Sequence, residues 1–165
     1  MTQAHNPIAD RAPLILTVPG LGNSGPGHWQ TQWEGTLPHC YRVDLGLWED
    51  PHRNTWVNKI NLAVQRADRP VVLVAHSLGC LAVAWWAEFE QPIDGKVIGA
   101  LLVAPPDVEV RPIDRRLTRF APFPHGELSI GVQTGPLIGA QKGPLSGWRN
   151  VDVTGFLALR GVGRA

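Results

Sequence analysis

Short aliphatic runs alternate along the chain with amphipathic stretches. The most pronounced run is Val71-Val72-Leu73-Val74-Ala75. It is apolar at odd and even positions alike, so both of its faces are buried, which predicts a central strand of a parallel sheet at 71–75. Residues 78–89 follow with strong helix formers and no Pro or further Gly beyond Gly79, and read as a helix. Leu14-Ile15-Leu16-Thr17-Val18 repeats the buried-strand pattern, and further strands are expected at 41–44, 97–103 and 128–134. A short helix begins at 28–33, with Trp29 and Trp33 on one face. The best-patterned helix is 54–67, with Trp56, Ile60, Ala63 and Ala67 on one stripe, Asn54 or Thr55 to cap it and Pro70 beyond its end. Strand and helix alternate, with connections long enough for right-handed crossovers. The expected fold is therefore α/β, a three-layer sandwich with a mainly parallel sheet and functional loops at the carboxyl ends of its strands.

Composition narrows this picture. At 165 residues and 44% hydrophobic content the chain can bury one core. The expected organisation is a polar tail at 1–12, a core at 13–134 and a Gly/Pro-rich segment at 135–165. A net charge of +1 gives no electrostatic case for nucleic acid or an anionic membrane, and no apolar run approaches the roughly 20 residues of a membrane span. The first residues carry neither a basic nor an apolar signal-peptide region, so a cytoplasmic location is expected, with Cys40 and Cys80 as free, buried thiols. No metal-type spacing of ligands is present, and no cofactor is expected. Trp29, Trp33, Trp48, Trp56, Trp85 and Trp86 fit either an apolar pocket or, more commonly at helical spacing, the core.

The chemistry centres on Ala75-His76-Ser77-Leu78-Gly79. Strand, one sharp turn and helix meet at Ser77, the context of a nucleophile elbow, whose strained turn lifts the hydroxyl above the sheet. Ala75 stands where the common pattern has Gly, and both are small. A serine that merely caps a buried helix is the plainer alternative. Pro19 to Gly27 is a glycine-rich loop leaving a neighbouring strand, the place where such a hydrolase finds its second oxyanion donor. Leu78 N–H and Leu21 N–H are the expected pair, with Gly22 next. Gly20-Leu21-Gly22-Asn23-Ser24-Gly25 also fits a dinucleotide-binding pattern, but only Asp44 offers the acidic residue that pattern needs on a following strand.

Val18-Pro19-Gly20-Leu21-Gly22-Asn23-Ser24, Gly27-His28-Trp29-Gln30, Trp33-Glu34, the Ser77 motif and the stretch from Leu102 to Glu109 together resemble the small α/β-hydrolase family typified by retinoblastoma-binding protein nine. The resemblance spans about residues 13–125. It implies a compact serine hydrolase fold without a lid domain, Ser77 as nucleophile, and an oxyanion hole from Leu78 and the Leu21 loop. It also implies an acid in an Asp-Pro context after the sixth strand and a base in a late Gly-His pair.

Beyond Pro124 the chain departs from that pattern, so the C-terminal part of the fold is expected to be incomplete. Gly135-Pro136 stands where Asp-Pro is wanted, no histidine follows His125, and nine of the 18 glycines fall in the last 40 residues. Serine is a poor nucleophile without a positioned base. His28, on the oxyanion loop, and His125 are the possible substitutes, whereas His76 should point away from Ser77 because adjacent strand residues face opposite sides. Asp107 is expected to orient its loop. Two functions are therefore in view. One is hydrolysis of a small ester, thioester or amide through an acyl-enzyme at Ser77, impaired by the altered end, which a shift of reading frame would explain. The other is a non-catalytic binding module on a hydrolase fold. No oligomeric state is implied.

Overall fold

The structure, a computed structural model, describes residues 11–90, 95–124 and 132–134. Five parallel strands form one sheet in the order β2-β1-β3-β4-β5, from β1 (Leu14–Val18), β2 (Cys40–Arg42), β3 (Val71–His76), β4 (Val97–Val103) and β5 (Val132–Thr134). β3 lies at the centre, as its two-sided apolar run requires. Leu73 and Ala75 face a large core with Trp56, Ile60, Leu81 and Trp86. Val74 faces the opposite side with Leu101, Trp29 and Trp33. Helices α2 (Arg53–Arg66) and α3 (Leu78–Glu90) thus cover one face and α1 (Trp29–Thr36) the other, which makes the three layers. Trp56 and Trp86 are core residues, so the tryptophans divide between the two faces and do not line one pocket.

Three boundaries differ from the sequence expectation. β2 spans Cys40–Arg42 and not 41–44, because Leu45 N–H bonds Val43 O (3.0 Å) in a tight three-residue turn that ends the strand. Val43 and Leu45 are nonetheless buried beyond it. α2 begins at Arg53 after His52, which makes no side-chain capping bond, so neither Asn54 nor Thr55 is the cap. The fully buried Trp56 sets the start: its indole N–H donates to Gly46 O (3.0 Å) and its backbone N–H closes the first turn on His52 O (3.0 Å). α2 buries Trp56, Val57, Ile60 and Val64, while Ala63 and Ala67 pack at the margin. The strand expected at 128–134 is described only over Val132–Thr134, parallel to β4. The segments 1–10 and 135–165 lie outside the described residues.

A 3-10 helix, Arg115–Phe120, was not anticipated. Its buried Leu117 and Phe120 close the core beneath α2 and α3, and Asp114 caps it by accepting from Arg116 N–H (2.8 Å).

Candidate active site

Ser77 occupies the single residue between β3 and α3, in the left-handed region at φ +52°. That conformation is disfavoured for a residue with a Cβ and persists only where the surroundings over-determine it. Here they do. Ser77 N–H donates to Val103 O at the end of β4 (2.9 Å), and Ser77 O accepts from Cys80 N–H in the first turn of α3 (2.9 Å). Two glycines allow the parts to close. A Cβ on Gly79 would lie 2.2 Å from Val18 O and 2.5 Å from Pro19 O, so the helix start sits directly against the end of β1. A Cβ on Gly20 would lie 3.0 Å from Ser77 Cβ and 3.1 Å from Leu78 N. The glycine loop therefore packs on the elbow itself.

The loop's form follows from its sequence. Asn23 N–H donates to Gly20 O (3.1 Å), closing a four-residue turn whose third residue, Gly22, has φ +75°. A positive φ at that position is what a type II turn demands and glycine supplies. Gly22 N–H is held by Trp48 O (2.9 Å). Among the described residues, neither Leu21 N–H nor Leu78 N–H has a hydrogen-bond acceptor, and the Ser77 hydroxyl has no partner. Leu78 N–H also belongs to the first turn of α3, where the helix dipole favours negative charge.

The histidines fall in different places. His76 ends β3 on the α1 side, and its ring packs at 4.6 Å, centroid to centroid, on His28 and at 6.1 Å on Trp29. Burial lowers the His76 pKa, with the neighbouring His28 adding to the effect. His28 is the N-cap of α1, and its Nδ1 accepts from Gln30 N–H (3.2 Å). Burial is also the main cause lowering the His28 pKa, with the Arg42 guanidinium adding to it and Glu34 opposing. A neutral ring that accepts at Nδ1 carries its proton on Nε2. In this state the Nδ1 lone pair of His28 is engaged by Gln30 N–H. His125 lies outside the described residues. Asp107 is committed elsewhere: its carboxylate accepts from the N–H groups of Glu109, Val110 and Arg111, each at 2.9 Å, and orders the loop after β4. Those bonds also hold its pKa below the usual carboxylate value.

Buried polar side chains behind the loop escaped the sequence reading. Gln30 is fully buried, donates to Val74 O (3.0 Å) and Val18 O (3.4 Å), and accepts from Ser24 Oγ (2.7 Å). It ties the loop to β1 and to β3, the strand that leads into the elbow. The available signal was its position in the first turn of a helix whose residues Trp29 and Trp33 pack inward. Among the described residues no group of three or more His, Cys, Asp or Glu is placed to hold a metal ion.

Comparison with known proteins agrees with this fold. The serine hydrolase family profile matches residues 15–146, and the chain belongs to that family. The match continues past Pro124, further along the chain than the motif resemblance. A YdeN-like hydrolase from Pectobacterium atrosepticum is 31% identical, with a TM-score of 0.60 over 73% of this chain and 60% of that one. The ydeN gene product of Bacillus subtilis shares the fold, at 19% identity and a TM-score of 0.53 over 71% of this chain and 62% of that one. The chain thus spans less than two thirds of the length of either protein. No curated protein matches it. The described residues contain no helix long and apolar enough to cross a membrane.

Proposed function

We propose that the protein is a serine hydrolase of esterase type that forms an acyl-enzyme at Ser77 with a small ester, thioester or amide, and that turnover by this 165-residue polypeptide is impaired. The observation that carries the reading is Ser77 at φ +52° between a buried parallel strand and a helix start, with Gly20 packed against it. In this mechanism Ser77 Oγ attacks the substrate carbonyl and loses its proton to a base. The tetrahedral oxyanion is held by Leu78 N–H and Leu21 N–H, and collapse expels the protonated alcohol, thiol or amine. Water then releases the acid by the reverse sequence.

Impairment follows from proton transfer. The chain has no histidine after His125 and no Asp-Pro after β5, and the ring nitrogens of His28 are disposed to donate at Nε2 and accept at Nδ1 from Gln30. His125 remains as the substitute base. Unless that ring serves, electrophile binding is left without the general-base assistance worth about 10²–10⁴-fold. The departure from the family's Asp-Pro and Gly-His pattern beyond Pro124 equally favours a non-catalytic, substrate-binding role on the same fold. A cytoplasmic setting suits the two free, buried thiols, Cys40 and Cys80.

Steady-state hydrolysis of an activated aryl ester separates the two. The impaired enzyme gives slow turnover that Ser77→Ala abolishes and His125→Ala lowers if that ring is the base. Equal rates in wild type and Ser77→Ala would overturn the enzymatic reading.

A further inference from the structure

Arg42, the last residue of β2, has all five guanidinium N–H groups engaged. Nε and Nη2 donate to the two Glu34 carboxylate oxygens (3.0 and 2.9 Å), and Nη2 also to Thr31 Oγ1 (2.6 Å). Nη1 donates to Asn23 Oδ1 (3.0 Å) and to Ser24 O (2.8 Å). Glu34 accepts in addition from the fully buried Thr17 hydroxyl of β1. One side chain thus joins two strands, α1 and the glycine loop.

Its contact with the loop is made where the loop is most constrained. Asn23 has φ +67° and directly follows Gly22 at φ +75°. Two successive residues in the left-handed region are held only if something fixes them, since each is cheaply lost to ordinary backbone conformations. Asn23 Oδ1 is the fixing point, accepting from Arg42 Nη1 and also from Ser24 N–H (2.8 Å). The same turn sets the direction of Leu21 N–H, because Asn23 N–H and Gly20 O close it.

We infer that Asn23 and Arg42 form a clamp that positions the Leu21 amide over Ser77, with Asn23 as a positioning residue and no contact of its own with substrate. The inference rests on the oxyanion role proposed for Leu21. A fixed donor needs no reorganisation when charge develops, whereas a loose one must be ordered in the transition state. A displacement of about 1 Å at a reacting centre is enough to lower a rate roughly 10²-fold.

Asn23→Gly tests the clamp because it deletes the Oδ1 acceptor while glycine still tolerates φ +67°. Asn23→Asp keeps an acceptor for both donors. Two readouts are taken on the full 165-residue chain, amide hydrogen exchange at Gly22 and at residue 23, whose N–H groups donate to Trp48 O and Gly20 O, and the second-order rate of fluorophosphonate labelling. The expected result for Asn23→Gly is exchange about tenfold faster at both amides, with the amides of α3 unchanged, and labelling about tenfold slower. Asn23→Asp restores both to within about threefold of wild type, which a merely packing role for the side chain shared with any loosened loop would not produce. Unchanged loop exchange in Asn23→Gly overturns the clamp. So does faster exchange with unaltered labelling. Should wild type fail to label at all, the Ser77 reading falls, and the exchange data alone then decide whether the clamp holds the loop.

Discussion

Gly79→Ala sets two opposed effects against each other and so tests the close approach of α3 to β1. In an ordinary helix the change to alanine gains about 1 kcal/mol through intrinsic propensity. Here the new methyl would stand 2.2 Å from Val18 O and 2.5 Å from Pro19 O. Both obstacles are backbone atoms of the sheet and its exit loop, and neither can rotate away. The helix start must retreat on the order of 1 Å, and overpacking of this kind costs about 1–3 kcal/mol, here at the upper end because the neighbours are rigid. The net expectation is a loss of about 2 kcal/mol, or a fall in Tm of roughly 4–8 °C for a domain of this size. Urea denaturation followed by tryptophan fluorescence gives the first number and thermal unfolding the second. A Gly25→Ala control, where a methyl meets nothing within 4 Å, should stay within about 0.5 kcal/mol of wild type. A Gly79→Ala protein as stable as wild type, or more so, would refute the packing of helix start on strand end and with it the geometry assigned to the elbow.

Gly20→Ala should spare stability and strike function. Its methyl crowds Ser77 Cβ, His76 O and Leu78 N at 3.0–3.1 Å, contacts that a few tenths of an ångström can relieve, so fluorophosphonate labelling should slow about tenfold while the Tm falls by less than in Gly79→Ala. Stability should decline as pH falls through the ordinary histidine value of 6.5, because burial lowers the pKa of His28 and His76 in the folded state and the unfolded chain then binds more protons. The contribution is fully present above 6.5 and is lost progressively below it until the folded values are passed. Replacing His76 by Gln should flatten denaturation midpoints measured between pH 8 and pH 5, and an unchanged slope would contradict the shift.

Local chemistry explains which parts of this molecule are legible in its sequence. The Ser77 elbow could be read because apolar run, small residue, serine and helix formers are contiguous, and β1 and β4 because a strand buried on both faces leaves a predominantly aliphatic run. The start of α2 could not, since tertiary anchoring of Trp56 outweighs the capping preference of Asn54 and Thr55. The 3-10 helix at Arg115–Phe120 hides two core residues among four polar ones, a pattern with no helical or strand period. The Arg42 hub was invisible for a different reason. Its partners Asn23 and Ser24 lie in the glycine loop and Thr31 and Glu34 on α1, and the parallel pairing of β1 with β2 brings Arg42 to both. His28 was legible as a histidine near the site, but its protonated nitrogen follows only from the bond to Gln30.

Whether Ser77 is a nucleophile is decided most directly by intact-mass and peptide mapping after exposure to a fluorophosphonate. The expected result is slow addition of one phosphonyl group, localised to the Ser77 peptide and absent from Ser77→Ala, because the elbow and its two amides survive without the assistance of a base. Labelling as rapid as that of a fully equipped serine hydrolase would contradict the impairment and point to a working base. An adduct that persists in Ser77→Ala, or maps to another residue, would contradict the nucleophile itself.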